Sequence, residues 1–323
     1  MGDTIAGLAA PALHLLANWM GRSGRRDVDM RDTSACKFKE RNGVKLDITY
    51  WQHIYDHMDP IAFHLGPIGV HWYGIMYILA LVGSFQLAKI IIRRDGLPIA
   101  PSVIDDFAVW ECLGVIIGAR LAFILFYDTN TAWYLLHPWQ IFNPFEGGKF
   151  VGLRGFSYHG GLIGFLVALV LFTRTKKIPF WPLLDLSAVA APAGYTLGRI
   201  GNFLNQELFG RATDVPWGIY VDGVQRHPSQ LYEAFAEGLL IFAILWYWRR
   251  HRRFDGELAM MYGVLYGVAR SVCELFREPD VQLGYLAGGW LTMGQLLSMT
   301  IIAGSLIGYA LLARVKRPGV AVY

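Results

Sequence analysis

The chain has few cysteines and few charged residues for its length. Its three cysteines, Cys36, Cys112 and Cys273, lie far apart among 323 residues and show no metal-ligand spacing. Neither a disulfide framework nor a zinc site is therefore predicted. Only 17% of the residues are charged, whereas 54% are hydrophobic. Soluble domains carry about 25% charged residues, so this shortage, with long uncharged runs, excludes an ordinary soluble domain and indicates an integral membrane protein.

Seven long apolar runs follow one another along the chain. A helix needs roughly 20 apolar residues to cross a bilayer. The predicted spans cover 71–92, 104–126, 157–173, 182–204, 229–248, 257–275 and 290–313. We therefore predict an all-α integral membrane protein, built as a seven-helix transmembrane bundle.

The basic residues of the connections alternate from one end of the spans to the other. They cluster after the first, third, fifth and seventh spans, at Arg93, Arg94, Arg174, Lys176, Lys177, Arg249, Arg250, Arg252, Arg253, Arg314, Lys316 and Arg317. The connections at the opposite end carry fewer, namely Lys149, Arg154, Arg211, Arg226 and Arg277. Basic loops face the cytoplasm, so we expect a cytoplasmic C-terminus and a first span that starts outside. A basic surface for nucleic acid is not indicated.

The outward connections are long, and we expect them to be structured. They cover 127–156, 205–228 and 276–289. The aromatic stretch 133–142 suits a segment that lies among lipid headgroups. Asp222-Gly223 between β-rich flanks predicts a hairpin with a tight turn. A small extracytoplasmic head that contains a β-hairpin is therefore expected.

The two ends of the chain do not follow the membrane pattern. Residues 1–57 are mixed in charge, and the apolar stretch near their start is short and follows Asp3, which disfavours a signal peptide. We expect 1–57 to be a poorly ordered or interfacial extension, or the product of an upstream start codon. Residues 58–317 would form the seven-span domain, and 318–323 a cytoplasmic tail.

Polar residues that are costly in hydrocarbon collect at the outward ends of the spans. They include His71, Tyr73, Arg120, Ser157, Tyr158, His159, Gln230, Tyr232, Glu233, Tyr266, Arg270, Glu274 and the stretch GRIGNFLNQELFGR at 198–211. An arginine at the centre of a membrane helix costs roughly 2.5 to 3.5 kcal/mol. Such residues therefore face partners or a wet cavity, and the pattern predicts one site in the outer leaflet.

Two arginines dominate the predicted site. Arg199 and Asn202 share a helix face, with Asn205 one turn further along. Arg270 lies on a stripe with Tyr266 and Glu274, four residues to either side. A simple Arg270–Glu274 pair is the alternative. A guanidinium matches phosphate oxygens and stays charged, so we expect a phospholipid headgroup as the ligand.

Other polar and small residues allow more than one interpretation. His159 is a candidate base or a hydrogen-bonded packing residue, and Glu207 is a second candidate base. Gly160, Gly161, Gly164 and Ala168 suit helix packing, as Gly198 and Gly201 also could, and Gly210 suits a turn. Asp105, Asp106 and Asp185 lie at helix starts, where carboxylates are favourable, and are interpreted as structural.

Five motifs occur in order: HWYG (71–74), SYHGG (157–161), GRIGNFLNQELFG (198–210), HPSQLYE (227–233) and YGVARSVCELFREPD (266–280). With these motifs, the chain resembles the bacterial prolipoprotein diacylglyceryl transferases from about Met58 to Arg317. The third motif is long enough to be specific. The extension before Met58 is the one clear departure from the family.

The resemblance implies a multi-pass enzyme of the bacterial inner membrane with its active site toward the outer leaflet. Its substrates would be phosphatidylglycerol and a prolipoprotein signal peptide with a lipobox cysteine, and no metal or cofactor would be needed. The implied catalytic residues are His159, Arg199, Glu207, Tyr266 and Arg270. The implied substrate-binding residues are Tyr73, Asn202, Asn205, Gly210 and Glu274.

Two other classes of membrane protein also place polar residues within the bilayer. A membrane lipid transporter also needs intramembrane charges, but transporters commonly show repeated halves, and no such repeat occurs here. An intramembrane protease would need a serine paired with a histidine, for which Ser157 and His159 are the only candidates.

Overall fold

The computed structural model describes residues 48–66, 68–150, 152–153, 155–278, 285–286 and 291–315. Seven long helices occur in this part of the chain: α1 (Trp72–Asp95), α2 (Ser102–Phe126), α3 (Tyr158–Lys176), α4 (Phe180–Leu204), α5 (Ser229–His251), α6 (Glu257–Cys273) and α7 (Met293–Val315). Each overlaps one of the predicted spans. Four of them, α1, α2, α5 and α7, are long and apolar enough to cross a membrane. Residues 1–47 and the predicted tail 318–323 lie outside the described residues.

Helix α5 is not uniform. It begins as an α-helix over Ser229–Glu233, becomes π-helical over Ala234–Leu240, returns to α over Ile241–Trp248 and ends in a 3-10 turn over Arg249–His251. π-Helical turns are rare and often occur at functional sites. The apolar pattern of the sequence does not predict this segment.

Local sequence sets where the helices begin and end. Helix α1 ends at Gly96, which takes the left-handed conformation with φ of 60° that a C-cap glycine adopts easily. Helix α3 begins after Ser157, whose side chain accepts the Gly160 N–H, as an N-cap serine does. Helix α4 begins directly after Pro179.

Short strands and helices join the long helices. Among the described residues, four antiparallel pairs join β1 (Ile61–Leu65) with β2 (Ile68–His71), β3 (Phe145–Glu146) with β4 (Lys149–Phe150), β5 (Ile219–Val221) with β6 (Val224–Arg226), and β7 (Tyr285–Leu286) with β8 (Leu291–Thr292). The predicted turn connects β5 and β6, with Asp222 and Gly223 at φ of 50° and 79°. Two positive φ values are what a type I′ turn requires. Short helical segments cover Ile48–Gln52, Ile54–His57, Thr131–Leu136 and Pro138–Gln140.

Helix α4 is the centre of the bundle. Helix α1 packs along it, α5 packs against it mainly through the π-helical segment, and α6 packs against it on a further side. Helix α7 in turn packs on α6. The largest group of buried side chains includes Leu183 and Val189 of α4, Leu245 of α5 and Leu258 of α6. The helix that carries Arg199 is therefore the most enclosed one.

Helices α2 and α3 approach each other through glycines. A Cβ on Gly114 would lie 2.6 Å from the Gly164 carbonyl oxygen and 2.6 Å from the Ala168 Cβ. A Cβ on Gly118 would lie 2.7 Å from the Gly164 Cα. Real side chains do not fit at such distances, so the helix backbones touch, as in other membrane helix pairs with small residues four apart. The packing role predicted for Gly164 and Ala168 is confirmed.

The basic ends of the helices meet at one end of the bundle. Asp95 at the end of α1 receives the Arg249 Nε–H at 2.9 Å, with both side chains 4% exposed. Asp185 near the start of α4 accepts the backbone N–H groups of Gly256 and Ala259 at 2.8 and 2.9 Å. Asp185 thus caps the start of α6 from another helix. The structural role predicted for this carboxylate is confirmed.

Candidate active site

The candidate site begins at Arg199, in the last turns of α4. Its Nε lies 2.8 Å from the Tyr195 hydroxyl and 2.8 Å from Oε2 of Glu233. Its Nη1 donates to Oδ1 of Asn202 at 3.4 Å. The guanidinium carbon lies 4.9 Å from the centre of the Tyr195 ring, within the range of a cation–π contact. The guanidinium is therefore fixed from three sides by α4 and α5.

Arg270 of α6 approaches the same carboxylate. Its Nη1 lies 3.6 Å from Oε2 of Glu233, the oxygen that Arg199 also approaches. Its Nη2 lies 2.7 Å from Oε2 of Glu274, so the pair considered in the sequence analysis is formed as well. Both arginine side chains are mostly buried, at 16% and 13% exposure. Two guanidinium groups from different helices thus flank one carboxylate oxygen.

A second buried carboxylate lies beneath this pair. Glu237, in the π-helical segment of α5, is fully buried, and Oε1 of its carboxylate lies 3.9 Å from Nη1 of Arg270. Its Oε2 accepts the hydroxyl of Tyr195, which also contacts Arg199. Gly238 permits this arrangement, because a Cβ there would lie 3.0 Å from the Thr196 Cα. Tyr195 and Glu237 therefore link the two arginines from the inside of the bundle.

The loop after α4 carries Glu207. Oε1 of Glu207 accepts the Asn202 side-chain N–H at 2.8 Å, and the Glu207 backbone N–H donates to the Asn202 carbonyl at 3.2 Å. Gln206 and Leu208, on either side, have φ of 56° and 58°. Residues with a Cβ avoid this left-handed region at a cost of roughly 1 to 3 kcal/mol each. The two residues that flank Glu207 are therefore strained, and neighbouring groups must stabilise the conformation of the loop.

Three more of the predicted residues lie around this centre. The ring of Tyr266 packs edge-on against Tyr195, with centroids 6.1 Å apart. Tyr73, in the first turn of α1, interacts electrostatically with Glu207 and Arg199. Asn205 ends α4, where its backbone N–H donates to the Gly201 carbonyl at 2.9 Å.

The structure gives Gly210 a packing role. A Cβ there would lie 2.6 Å from the carbonyl oxygens of both His227 and Phe276. Its N–H donates to the His227 carbonyl at 3.0 Å, and it pairs as an isolated bridge with Arg277. Any other residue would separate these segments. Gly198 is different, because a Cβ there would meet nothing within 4 Å, so close helix packing does not explain that glycine.

His159 lies on a helix that has little contact with α4, the helix of Arg199. It is in the first turn of α3, its side chain is exposed, and α3 packs chiefly on α2. The side chain of Arg120 in α2 donates hydrogen bonds to backbone carbonyls outside its own helix. Its Nε donates to the Ile141 carbonyl at 2.7 Å and its Nη1 to the Gly155 carbonyl at 3.3 Å. Arg120 therefore holds the connection between α2 and α3.

Tyr195 and Glu237 were missed by the sequence analysis. The signal for Glu237 was available, because a carboxylate inside the apolar run of α5 is as costly as an intramembrane arginine. Tyr195 gave no signal, since tyrosine is common in membrane helices near the interface.

The site is chemically suited to an anion. No group of three or more histidine, cysteine, aspartate or glutamate side chains that could hold a metal ion occurs among the described residues. Each guanidinium has five N–H donors. In the described part of the chain, the bonds of Arg199 use Nε and Nη1, which leaves Nη2 for a ligand. The ion pairs of Arg270 in the same part of the chain use Nη1 and Nη2, which leaves Nε for a ligand.

The sequence of the chain is similar to those of known proteins. The model of the prolipoprotein diacylglyceryl transferase family matches residues 60–311. A protein of Aliarcobacter butzleri named phosphatidylglycerol–prolipoprotein diacylglyceryl transferase is 54% identical over 253 residues, or 78% of this chain and 93% of the relative. Proteins of the same name from Wolinella succinogenes and Campylobacter curvus are 54% and 53% identical, covering 83% and 82% of this chain and 98% and 97% of their own lengths. The resemblance seen in the sequence motifs is thus confirmed, and the chain belongs to the prolipoprotein diacylglyceryl transferase family.

Proposed function

We propose that the chain transfers the diacylglyceryl group of phosphatidylglycerol to the thiol of the lipobox cysteine of a prolipoprotein. The single observation that carries this proposal is the pair of guanidinium groups of Arg199 and Arg270, which flank one oxygen of Glu233. The family match and the names of the relatives support it. The comparisons give no support to a membrane lipid transporter.

The transfer is a displacement at carbon. The cysteine sulfur attacks the glyceryl carbon that bears the phosphate, the C–S bond forms, and the C–O bond to phosphate breaks. The electron pair of that bond leaves with glycerol phosphate, which gains a negative charge. Arg199 and Arg270 stabilise this charge more strongly as it develops than in the bound lipid, which lowers the barrier.

The thiol must lose its proton for the sulfur to attack, since a free thiol has a pKa of about 8.5. We assign the base to His159, with Glu207 as the alternative. A neutral imidazole has a ring nitrogen that can accept a proton, as a base requires. Glu207 is joined to the arginine site through Asn202. Comparing pH–rate profiles of His159→Gln and Glu207→Gln assigns the base, because the variant that lacks it loses the ascending acidic limb.

Headgroup binding is assigned to the residues around the pair. Asn202, Asn205 and Tyr266 would orient the headgroup, while Tyr73 and Glu274 hold the arginines. The close packing of Gly210 would keep the loop in register with α6. These roles rest on the geometry above and on the family motifs.

The finer architecture belongs to the same proposal. All seven long helices would span the bacterial inner membrane, with the N-terminus outside and the C-terminus cytoplasmic. The site would face the outer leaflet beneath a small head that includes the β5–β6 hairpin and the connections 127–156, 205–228 and 276–289. Residues 58–317 would form the transferase domain.

One assay tests the activity. Purified protein is mixed with phosphatidylglycerol and a signal peptide that has one lipobox cysteine, and the peptide is weighed by mass spectrometry. A gain of one diacylglyceryl group is expected, and none when the cysteine is replaced by serine. Peptide cleavage, or an unchanged peptide with active lipid movement between vesicles, would reject the proposal.

A further inference from the structure

The loop that presents Glu207 cannot hold its own conformation. Gln206 and Leu208 both have φ in the left-handed region, which non-glycine residues avoid. Such a conformation persists only where neighbouring groups fix it. Part of the support comes from α5, because Ser229 Oγ donates to the Leu208 carbonyl and Gln230 Nε2 donates to the Glu207 carbonyl.

The remaining support comes from a segment near the start of the described chain. Gln206 Nε2 donates to the Met58 carbonyl at 2.8 Å and lies 3.5 Å from the Tyr55 carbonyl. The ring of Tyr55 packs against Phe203 and Phe209, with centroids 5.2 and 5.6 Å apart. These two phenylalanines lie on either side of Glu207 in the sequence. The segment therefore contacts the loop on both sides of the residue that the loop presents.

The segment is itself fastened to the β5–β6 region. Trp51 Nε1 donates to the Trp217 carbonyl at 2.8 Å, and Gln52 Nε2 donates to the Pro216 carbonyl at 2.9 Å. Ile54 is buried in a small core with Phe203 and Ile219. We call Ile48–Met58 the N-terminal clamp. The family model begins at residue 60 and therefore does not include the clamp.

The contact between the N-terminal clamp and the loop is buried at Tyr55. The Tyr55 hydroxyl is buried beside Gln230, and this burial raises the pKa of Tyr55 well above its usual range. Gln230 in turn is fully buried and bonds the Glu207 carbonyl. Tyr55, Gln230 and Glu207 thus form one packed unit across segments far apart in sequence.

We propose that the N-terminal clamp is a positioning element, which holds the strained loop so that Glu207 stays bonded to Asn202, the residue that contacts Arg199. This inference rests on the transferase activity proposed above. It assigns a functional part to residues 48–58, through contacts of Tyr55 and Met58 with the loop.

The first test uses matched glutamine variants. Gln206→Ala removes a side-chain amide that holds a backbone carbonyl, and Gln225→Ala removes the same kind of bond, from Nε2 to the Val215 carbonyl at 2.8 Å. We expect Gln206→Ala to lower kcat about tenfold or more, since small displacements at an active site have large effects on rate. We expect Gln225→Ala to stay within about twofold of the parent chain. Equal rates for Gln206→Ala and the parent would overturn the proposal.

A double-mutant cycle separates positioning from a general loss of stability. Tyr55→Ala is made alone and together with Glu207→Gln. If the clamp acts through Glu207, the double variant should be no slower than Glu207→Gln alone, because groups that act as a unit give non-additive losses. The proposal would be contradicted if the fold reduction in kcat of the double variant equalled the product of the fold reductions of the two single variants.

A spectroscopic readout makes the test independent of catalysis. The exposed Leu208 is replaced by cysteine in a chain whose native cysteines are serine, and a nitroxide label is attached. Adding Tyr55→Ala should narrow the spectrum, because the loop becomes mobile, whereas Gln225→Ala should not change it. An unchanged spectrum would overturn the clamp even if transfer is observed. If the spectrum narrows in a chain that never modifies the peptide, the activity proposal fails and the loop contact stands.

Discussion

Three carboxyl groups surround Arg199 and Arg270. Glu233, Glu237 and Glu274 all lie within ion-pair distance of one or both of them. Buried charges of this kind need partners, and removing one partner leaves the other uncompensated. The carboxylates hold the planar guanidinium groups of both arginines in position before a ligand binds. A preorganised pair loses little free energy in reorientation when charge develops on the phosphate.

Replacing either arginine by lysine should separate charge from geometry. Lysine keeps the charge but lacks the planar fork. We expect Arg199→Lys and Arg270→Lys to lower kcat roughly 100- to 1,000-fold, the size typical for loss of one transition-state donor, with a smaller change in KM for phosphatidylglycerol. Arg253→Lys is the control, because Arg253 also pairs with a carboxylate, Glu257, at the opposite end of α6. A near-normal kcat in both Arg199→Lys and Arg270→Lys would show that the planar guanidinium geometry is not needed for catalysis.

The buried Tyr195–Glu237 contact should matter more than an equivalent contact elsewhere. Tyr309 and Glu257 supply the comparison, since this tyrosine hydroxyl also donates to a carboxylate, at 3.1 Å. We expect Tyr195→Phe and Glu237→Gln each to lower transfer about tenfold or more, because loss of a hydrogen bond to a buried charge costs about 1.5 to 3 kcal/mol.

Tyr309→Phe and Glu257→Gln should leave the transfer rate within about twofold, although they reduce thermal stability. Initial rates in detergent and melting curves for all four variants decide the matter. Equal losses in both sets would show that the Tyr195–Glu237 contact serves folding alone.

At the level of residues, the sequence gives a signal where a single side chain carries an intrinsic cost. Arg199 and Arg270 were found because hydrocarbon rejects charge, whatever the tertiary structure. Glu233 was noticed only as part of a polar group, and its position between both arginines depends on the packing of α4, α5 and α6. The conformations of Gln206 and Leu208 gave no sequence signal, because glycine and asparagine are the usual left-handed residues.

At the scale of elements, the long helices could be read from the sequence because a membrane leaves few choices. Backbone groups in hydrocarbon must bond within a helix, so apolar runs determine the helical ranges within a few residues. The π-helical segment Ala234–Leu240 could not be read in this way, since an apolar run does not distinguish π-helical from α-helical turns. Pairings such as Tyr55 with Phe203 join segments nearly 150 residues apart and leave no local pattern.

The glycine contact between α2 and α3 gives a prediction of its own. Gly164→Ala places a Cβ 3.1 Å from the Gly118 Cα and closer still to the Gly114 carbonyl carbon, at 2.8 Å. The helices must move apart, so we expect a loss of about 1 to 3 kcal/mol in unfolding free energy, as for other overpacked sites. Gly304→Ala in α7 meets nothing within 4 Å and should be neutral or slightly stabilising. Thermal unfolding in one detergent compares the two, and equal melting temperatures would contradict direct backbone contact.

At the scale of the whole molecule, the two ends of the bundle differ in their polar groups. One end joins Asp95 to Arg249 and Asp185 to the start of α6, through contacts that tie helices together. The other end gathers Arg199 and Arg270 in one site. The basic end was predicted from the order of charges along the chain. Its ion pairs were not, because they depend on which helices are neighbours.

The positive-inside rule predicts that the basic end of the bundle faces the cytoplasm, and cysteine labelling can test this orientation. Asp222, at the tip of the β5–β6 hairpin, and Arg174, in the last turn of α3, are both exposed and lie at the ends predicted to face outside and inside. In intact cells, a membrane-impermeant maleimide should label Asp222→Cys and spare Arg174→Cys. Permeabilised cells should label both variants, and the parent chain shows the background from native cysteines. The reverse pattern would place the arginine pair toward the cytoplasm, where a signal peptide emerging on the outer side could not present its cysteine to the lipid.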